Sequence, residues 1–271
     1  MSKSKYADLK KKIIWVCRQM NEMGINQGTS GNVSARTDAG FIITASGVPY
    51  DVMDVEHIVE MDLDGGYYGK YLPSTEWRMH QDIFKARPEA GAIVHTHSIY
   101  ATALATLRKD IPSFHYMIGV TGGATLRVSD YAEFGTQALS DTMLEALKDR
   151  RACLLANHGQ IAFGPNLDKA LWLAGEIETL CQQYWAASLA GKPVILSDEQ
   201  MKTVLARFKT YGKQTNELKS GEALAVIAPT RRDAPKDAKK DKPKKDKVKK
   251  DKVKKDKTKK AKSKKVEDKA K

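Results

Sequence analysis

Gly91-Ala92-Ile93-Val94-His95-Thr96-His97 is an apolar run that passes into an alternation, and it reads as a buried strand ending in His-Thr-His. On a strand, residues i and i+2 project from the same face, so His95 and His97 can share one metal ion. A pair of hydrogen-bonded core histidines explains an isolated His-X-His equally well. A third ligand has to come from elsewhere in the chain.

Upstream, the apolar spacing of Leu9, Ile13, Val16, Cys17, Met20 and Met23 predicts an amphipathic helix over residues 5–24, stopped by Gly24. Asn32–Arg36 and Phe41–Ala45 read as a hairpin, with further strands at Ile58–Met61 and Tyr67–Tyr71. Pro73-Ser74-Thr75-Glu76 reads as a helix start with Ser74 as its cap, for a helix running to about Ala86. Downstream, a short helix is expected over Ser98–Leu107, strands over His115–Val120 and Thr125–Val128, and a helix over Gly135–Lys148. Cys153–Ala156 and Ile161–Gly164 flank the turn Asn157-His158-Gly159-Gln160, and helices follow over Leu167–Ala190 and Ser197–Tyr211. The sum is an α/β (α+β-like) fold: a three-layer sandwich with a central, mostly antiparallel sheet and helices on both faces, and no βαβ repeat.

The 271 residues hold 46 Lys and Arg against 33 Asp and Glu, a net charge of +13. Thr230–Lys271 alone carries 22 basic and 8 acidic residues, so the rest of the chain is close to neutral. A fold with a uniformly positive, DNA-binding surface is excluded. The basic segment repeats Lys-Lys-Asp-Lys-X from Lys239, with X as Pro243, Val248, Val253 and Thr258. It has no aromatic residue and is expected to be disordered from about residue 225. It fits either weak polyanion binding by counterion release or a solvated extension that aids solubility. No apolar run is long enough to span a membrane or to form a signal-peptide core, and Cys17, Cys153 and Cys181 are widely spaced in apolar surroundings. A cytoplasmic protein with reduced core cysteines is expected.

Of the six histidines, four besides the His95/His97 pair could complete it: His57, His80, His115 and His158. His158 sits in a Gly-flanked turn between apolar strands, where it can serve a site or simply hydrogen-bond the turn. Glu76 can supply a carboxylate, or can interact with the dipole of its own helix. His80, one turn after Glu76 on the same face, is its chief rival as a ligand. Gln27-Gly28-Thr29-Ser30-Gly31-Asn32 and the helix start at Pro73-Ser74-Thr75 each offer N–H groups and hydroxyls to an anion.

Gln27-Gly-Thr-Ser-Gly-Asn-Val-Ser34, Ile43-Thr-Ala-Ser-Gly47, Pro73-Ser-Thr-Glu76, His95-Thr-His97, His115-Tyr-Met-Ile118 and Asn157-His-Gly159 stand in one order and spacing. In these separated motifs, over about residues 5–213, the chain resembles the class II aldolase/adducin family. The resemblance implies a catalytic domain over residues 1–224, with the Lys-rich tail of residues 225–271 outside it. It implies one Zn2+ per subunit, or another divalent ion, held by His95, His97 and His158, with Glu76 as a fourth group and as catalytic acid/base. Phosphate recognition maps to Thr29, Asn32, Ser46, Gly47, Ser74 and Thr75, with Thr75 where relatives usually carry Ser. Tyr116, from a neighbouring subunit of a cyclic homotetramer, would manage the proton on the C4 oxygen. Tyr211 resembles a C-terminal tyrosine that folds over the site, and Phe134 an apolar wall.

The activity implied is reversible cleavage of a deoxyketose 1-phosphate, of the L-fuculose 1-phosphate type, to dihydroxyacetone phosphate and a small aldehyde. Three alternatives stand beside it. One is the same chemistry on 5-(methylthio)- or 5-deoxyribulose 1-phosphate. Another is a pentulose-5-phosphate 4-epimerase, although those enzymes carry Asp where Glu76 stands. The third is a non-catalytic adducin-like scaffold, a class that lacks the full set of metal ligands.

Overall fold

Alternation along the strands builds the three layers. In the computed structural model, which describes residues 6–211, 213–214 and 217–223, eight strands form one sheet in the order β4-β3-β2-β1-β5-β8-β7-β6. They are β1 (Asn32–Thr37), β2 (Gly40–Thr44), β3 (Ile58–Met61), β4 (Tyr67–Tyr68), β5 (Ala92–Thr96), β6 (Val128–Ser129), β7 (Ala152–Leu155) and β8 (Gly159–Gly164). Every pairing is antiparallel except β6 with β7. The segment 225–271, expected to be a disordered tail, lies outside the described residues.

Val33 and Ala35 of β1, Ile42 of β2, Ala92 and Val94 of β5 and Ala162 of β8 face one core. That core is closed by α1 (Ala7–Glu22), α3 (Ile99–Ala105) and α5 (Leu167–Ala190). Residues of opposite parity, Phe41, Ile43, Ile93, Ile161 and Phe163, face the other core, under α2 (Trp77–Ala86) and α4 (Gln137–Ala146). Period-two burial on both faces thus produces the sandwich read from the sequence. Phe41, Phe84 and Phe163 are among its largest fully buried side chains, and each contributes on the order of 1.5–3 kcal/mol by burial. A last helix, α6 (Asp198–Phe208), starts with a capping box in which the Ser197 side chain receives the Gln200 N–H and Gln200 receives that of Ser197.

Several local expectations are corrected. Tyr67–Tyr71 shortens to the two exposed residues of β4, because Gly69 adopts φ +125° and leaves extended geometry. Residues 115–120 form no strand: Tyr116–Thr121 is a 3-10 helix, started where His115 Nδ1 accepts the Met117 N–H. Of Thr125–Val128 only Val128 joins the sheet, since Leu126 instead makes an isolated bridge with Ile111. Ser74 does not cap α2. The N-cap is Glu76, without a side-chain cap, and Ser74 Oγ accepts the Glu76 N–H at 3.3 Å just ahead of it. Gly159 and Gln160 belong to β8, so the turn before it is shorter than expected.

Candidate active site

Three sequence-distant pieces converge at one end of the central strands. His95 shares the face of Ile93 near the end of β5, and His97 follows directly. Antiparallel pairing of β5 with β8 sets Thr96 opposite Gln160, which carries the β7–β8 turn and His158 to the same end. Gly159 is required there: a Cβ would lie 2.4 Å from Thr96 O and 3.0 Å from His97 Cδ2. Glu76 enters from the start of α2, and Asn32 stands beside His95 in the β1–β5 register.

His95 Nε2 lies 3.0 Å from His97 Nε2 and 3.1 Å from Glu76 Oε2. His158 Nε2 lies 3.0 Å from Glu76 Oε1, an otherwise buried oxygen with no well-directed hydrogen-bond donor. The four ligand atoms all fall within 4.8 Å of one another. His95 Nδ1 donates to Gln160 O at 2.7 Å, which turns its Nε2 toward the cluster. Burial disfavours charge on His95, but the Glu76 carboxylate outweighs it and raises the imidazole's affinity for a proton. Burial and the neighbouring His95 and His158 push His97 down to about 3. Burial would raise the Glu76 carboxyl, yet His95 and His158 together hold it far below the ordinary carboxylate range.

Convergent lone pairs around one carboxylate need a cation among them. Three imidazoles and a carboxylate are a suitable donor set for a divalent metal, and their 3.0–3.1 Å separations approach the edge of about 3.3 Å for tetrahedral bonds of roughly 2.0 Å. The residues fit a metal ion.

Behind the cluster lies a buried polar layer. Asn32 Nδ2 donates to Glu76 Oε2 at 2.9 Å, while Asn32 Oδ1 lies 2.5 Å from His80 Nε2 and Ser34 Oγ lies 2.6 Å from His80 Nδ1. His80 is therefore not the rival ligand that its spacing from Glu76 offered. It faces β1, and burial, with His95 nearby, pushes it down to about 3. The sequence held a signal for this layer in Asn32-Val33-Ser34-Ala35, where the polar positions share the strand face turned toward α2.

A cleft of about 310 Å³ adjoins the cluster, and its lining includes Thr29, Thr75, Glu76, His97 and His158 together with Tyr131, Ala132 and Phe134. Asn32, Ser46, Gly47 and Ser74 are not in its lining. Ser46–Gly47 and Ser74–Thr75 are nonetheless clamped together, because Ser46 N donates to Leu72 O at 3.1 Å and Ser74 N to Thr44 O at 2.9 Å. Tyr116 and Tyr211 line no part of this cleft. Tyr116, 47% exposed, stacks on Phe208, and Tyr211 meets the same ring edge-on. Tyr131 and Asn157 also line the cleft, and neither is among the site residues that the sequence offers.

Residues 11–185 match the family described as Class II Aldolase and Adducin N-terminal domain. The chain belongs to the class II aldolase and adducin family. It is 46% identical over 210 residues to L-fuculose phosphate aldolase of Escherichia coli strain K12, covering 77% of this chain and 98% of that protein. It is also 46% identical over 200 residues to 5-methylthioribulose-1-phosphate/5-deoxyribulose-1-phosphate aldolase of Rhodospirillum rubrum, covering 74% and 90%. A solved structure of L-fuculose 1-phosphate aldolase superimposes with a TM-score of 0.73 at 38% identity, covering 76% of this chain and 98% of that one. The three-layer sandwich is the class II aldolase fold, and this class II aldolase is an aldehyde-lyase with a Glu76/His95/His97/His158 cluster able to hold a metal. Among the described residues, no helix is long and apolar enough to cross a membrane.

Proposed function

We propose that this class II aldolase cleaves a deoxyketose 1-phosphate of the L-fuculose 1-phosphate type to dihydroxyacetone phosphate and a small aldehyde, using zinc. The observation that carries the reading is that Glu76, His97 and His158 share one cleft with the hydroxyl-bearing residues Thr29 and Thr75. His95, His97 and His158 hold the ion, with Glu76 beside them. When bound, the ion supplies Lewis-acid stabilisation of the negative charge left on the three-carbon phosphate fragment.

The chain's own residues do the rest. The Thr29 loop, Asn32, the paired Ser46–Gly47 and Ser74–Thr75 segments and the N-terminal end of α2 bind the phosphate and fix the substrate's register. As the C3–C4 bond breaks, its electron pair stays on C3; Glu76, ionised at rest, takes a proton from water and passes it to C3. The C4 hydroxyl passes its proton to the Tyr116 oxygen as that phenol hands its own to water, and C4 becomes the aldehyde, so one proton leaves the C4 oxygen and one reaches C3. Tyr116 is half exposed and outside the cleft of its own chain, which supports its serving a neighbouring subunit in a homotetramer, with Tyr211 closing over the site. The buried, unpaired Cys17, Cys153 and Cys181 suit the reducing cytoplasm. The Lys-rich tail adds at most weak, salt-sensitive polyanion binding.

A second substrate reading, 5-(methylthio)- or 5-deoxyribulose 1-phosphate, is favoured by the apolar residues Ala132 and Phe134 in the cleft lining. The test is metal content together with dihydroxyacetone phosphate release from fuculose, rhamnulose, ribulose, 5-deoxyribulose and 5-methylthioribulose 1-phosphates, for wild type and His97→Ala. A specificity ratio led by one deoxyketose, lost with His97, supports the reading. A metal-loaded wild type inert on all five overturns it.

A further inference from the structure

Ser34, His80, Asn32 and Glu76 form one buried file from sheet to site, with Ser34 and His80 fully inaccessible to solvent. Its links are 2.6, 2.5 and 2.9 Å long. The direction of every link follows from chemistry. A carboxylate only accepts, so the Asn32 amide must turn its NH2 toward Glu76 and its oxygen toward His80. That oxygen also only accepts, so His80 must carry its proton on Nε2. Nδ1 of the neutral ring is then bare, and the Ser34 hydroxyl donates to it. Four groups on β1 and α2 therefore have one consistent arrangement. Exchanging the amide oxygen and nitrogen would set an oxygen against a carboxylate at 2.9 Å.

We propose that His80 is a positioning residue: as the Nε2–H tautomer it locks the Asn32 amide so that an N–H always faces Glu76 Oε2. The lock holds the carboxylate in one orientation and keeps Oε2 satisfied, leaving Oε1, which has no well-directed hydrogen-bond donor, to take up a proton and pass it on. The catalytic consequence rests on the acid/base role proposed above for Glu76; the lock itself does not. An alternative in which His80 only fills space between α2 and β1 makes different predictions, because the volume can be kept while the donor is removed.

The test compares His80→Leu, which fills the space without a donor, His80→Gln, which can return an N–H to Asn32 Oδ1, and Ser34→Ala. It reads the ring tautomer of His80 by 15N NMR, zinc affinity by competition with a chelator, and kcat and KM separately. The wild-type ring should be Nε2–H. His80→Leu should lose about 10- to 100-fold in zinc affinity and in kcat, with KM nearly unchanged. His80→Gln should recover most of the loss, and Ser34→Ala should show a mixed tautomer with a smaller loss in both. An Nδ1–H ring, or equal behaviour of the Leu and Gln variants, would overturn the proposal. Should His80→Leu fail to fold, the wild-type tautomer and the Ser34→Ala and His80→Gln data still decide. A wild type inert on every ketose 1-phosphate would remove the proposed function but leave the tautomer and zinc-affinity arms standing.

Discussion

Arg108 Nε donates to Asn157 Oδ1 at 2.8 Å, and both residues occupy left-handed backbone, at φ +51° and +54°. Asn accepts that conformation more readily than other residues, whereas Arg does so at a cost of roughly 1–2 kcal/mol. The hydrogen bond ties the segment after α3 to the turn that presents His158. Asn157→Ala loses the bond and meets the left-handed penalty, so it should destabilise the fold by about 1–2 kcal/mol. Asn157→Gly should cost less, since it keeps the backbone freedom. Urea unfolding of the two variants checks the order.

His97→Ala and His158→Ala each remove one convergent imidazole. Both proteins should fold, because neither side chain belongs to the apolar cores. Both should lose stoichiometric metal in elemental analysis after dialysis. Equal metal content in wild type and variants would place the ion elsewhere.

Thr75→Ala and Ser74→Ala test the phosphate end. A hydrogen bond to a charged group contributes about 1.5–3 kcal/mol. Each loss should therefore lower kcat/KM by roughly 10- to 100-fold, mostly through KM, and weaken inhibition by inorganic phosphate. Thr75→Ser keeps the hydroxyl and should stay near wild type.

His80 gives a pH signature. Burial pushes the folded ring down to about 3, below the ordinary 6.5 of an imidazole. Between those limits the unfolded chain binds the extra proton. The ring's contribution therefore makes stability rise with pH from about 3 to 6.5, and fall again on acidification. Denaturant midpoints across this range should be flatter for His80→Gln than for wild type.

Removing residues 230–271 should leave turnover unchanged at moderate salt, because the body carries every residue assigned to chemistry. Steady-state rates of the shortened and full chains, compared at two ionic strengths, check it. A large loss would give the tail a part in turnover.

Periodicity made much of the fold legible. Leu167–Ala190 was bounded correctly because its helical pattern starts after Asn166, which caps it, and stops at Gly191. The Asn32–Thr44 hairpin was legible because strand residues alternate between two cores. The 3-10 turn at Tyr116–Thr121 was not, since its start is set by one side chain, His115 Nδ1, bonding its own backbone two residues on. The His95/His97 pair was legible from strand alternation, whereas the choice of His158 and Glu76 to complete it came from the family resemblance. The partners of His80 were hidden because Ser34 lies 46 residues away in sequence and meets it only once α2 packs on the sheet.

Tyr131, Ala132 and Phe134 of the cleft lining lie between β6 and α4 in a segment that supplies neither a member of the metal cluster nor a strand pairing. This part of the lining therefore comes from a length of chain separate from the ligand set. Substitutions at 131–134 can reshape the cleft while the ligand set stays fixed at the start of α2, the end of β5 and the β7–β8 turn, giving the scaffold a route to new substrates through a few side chains.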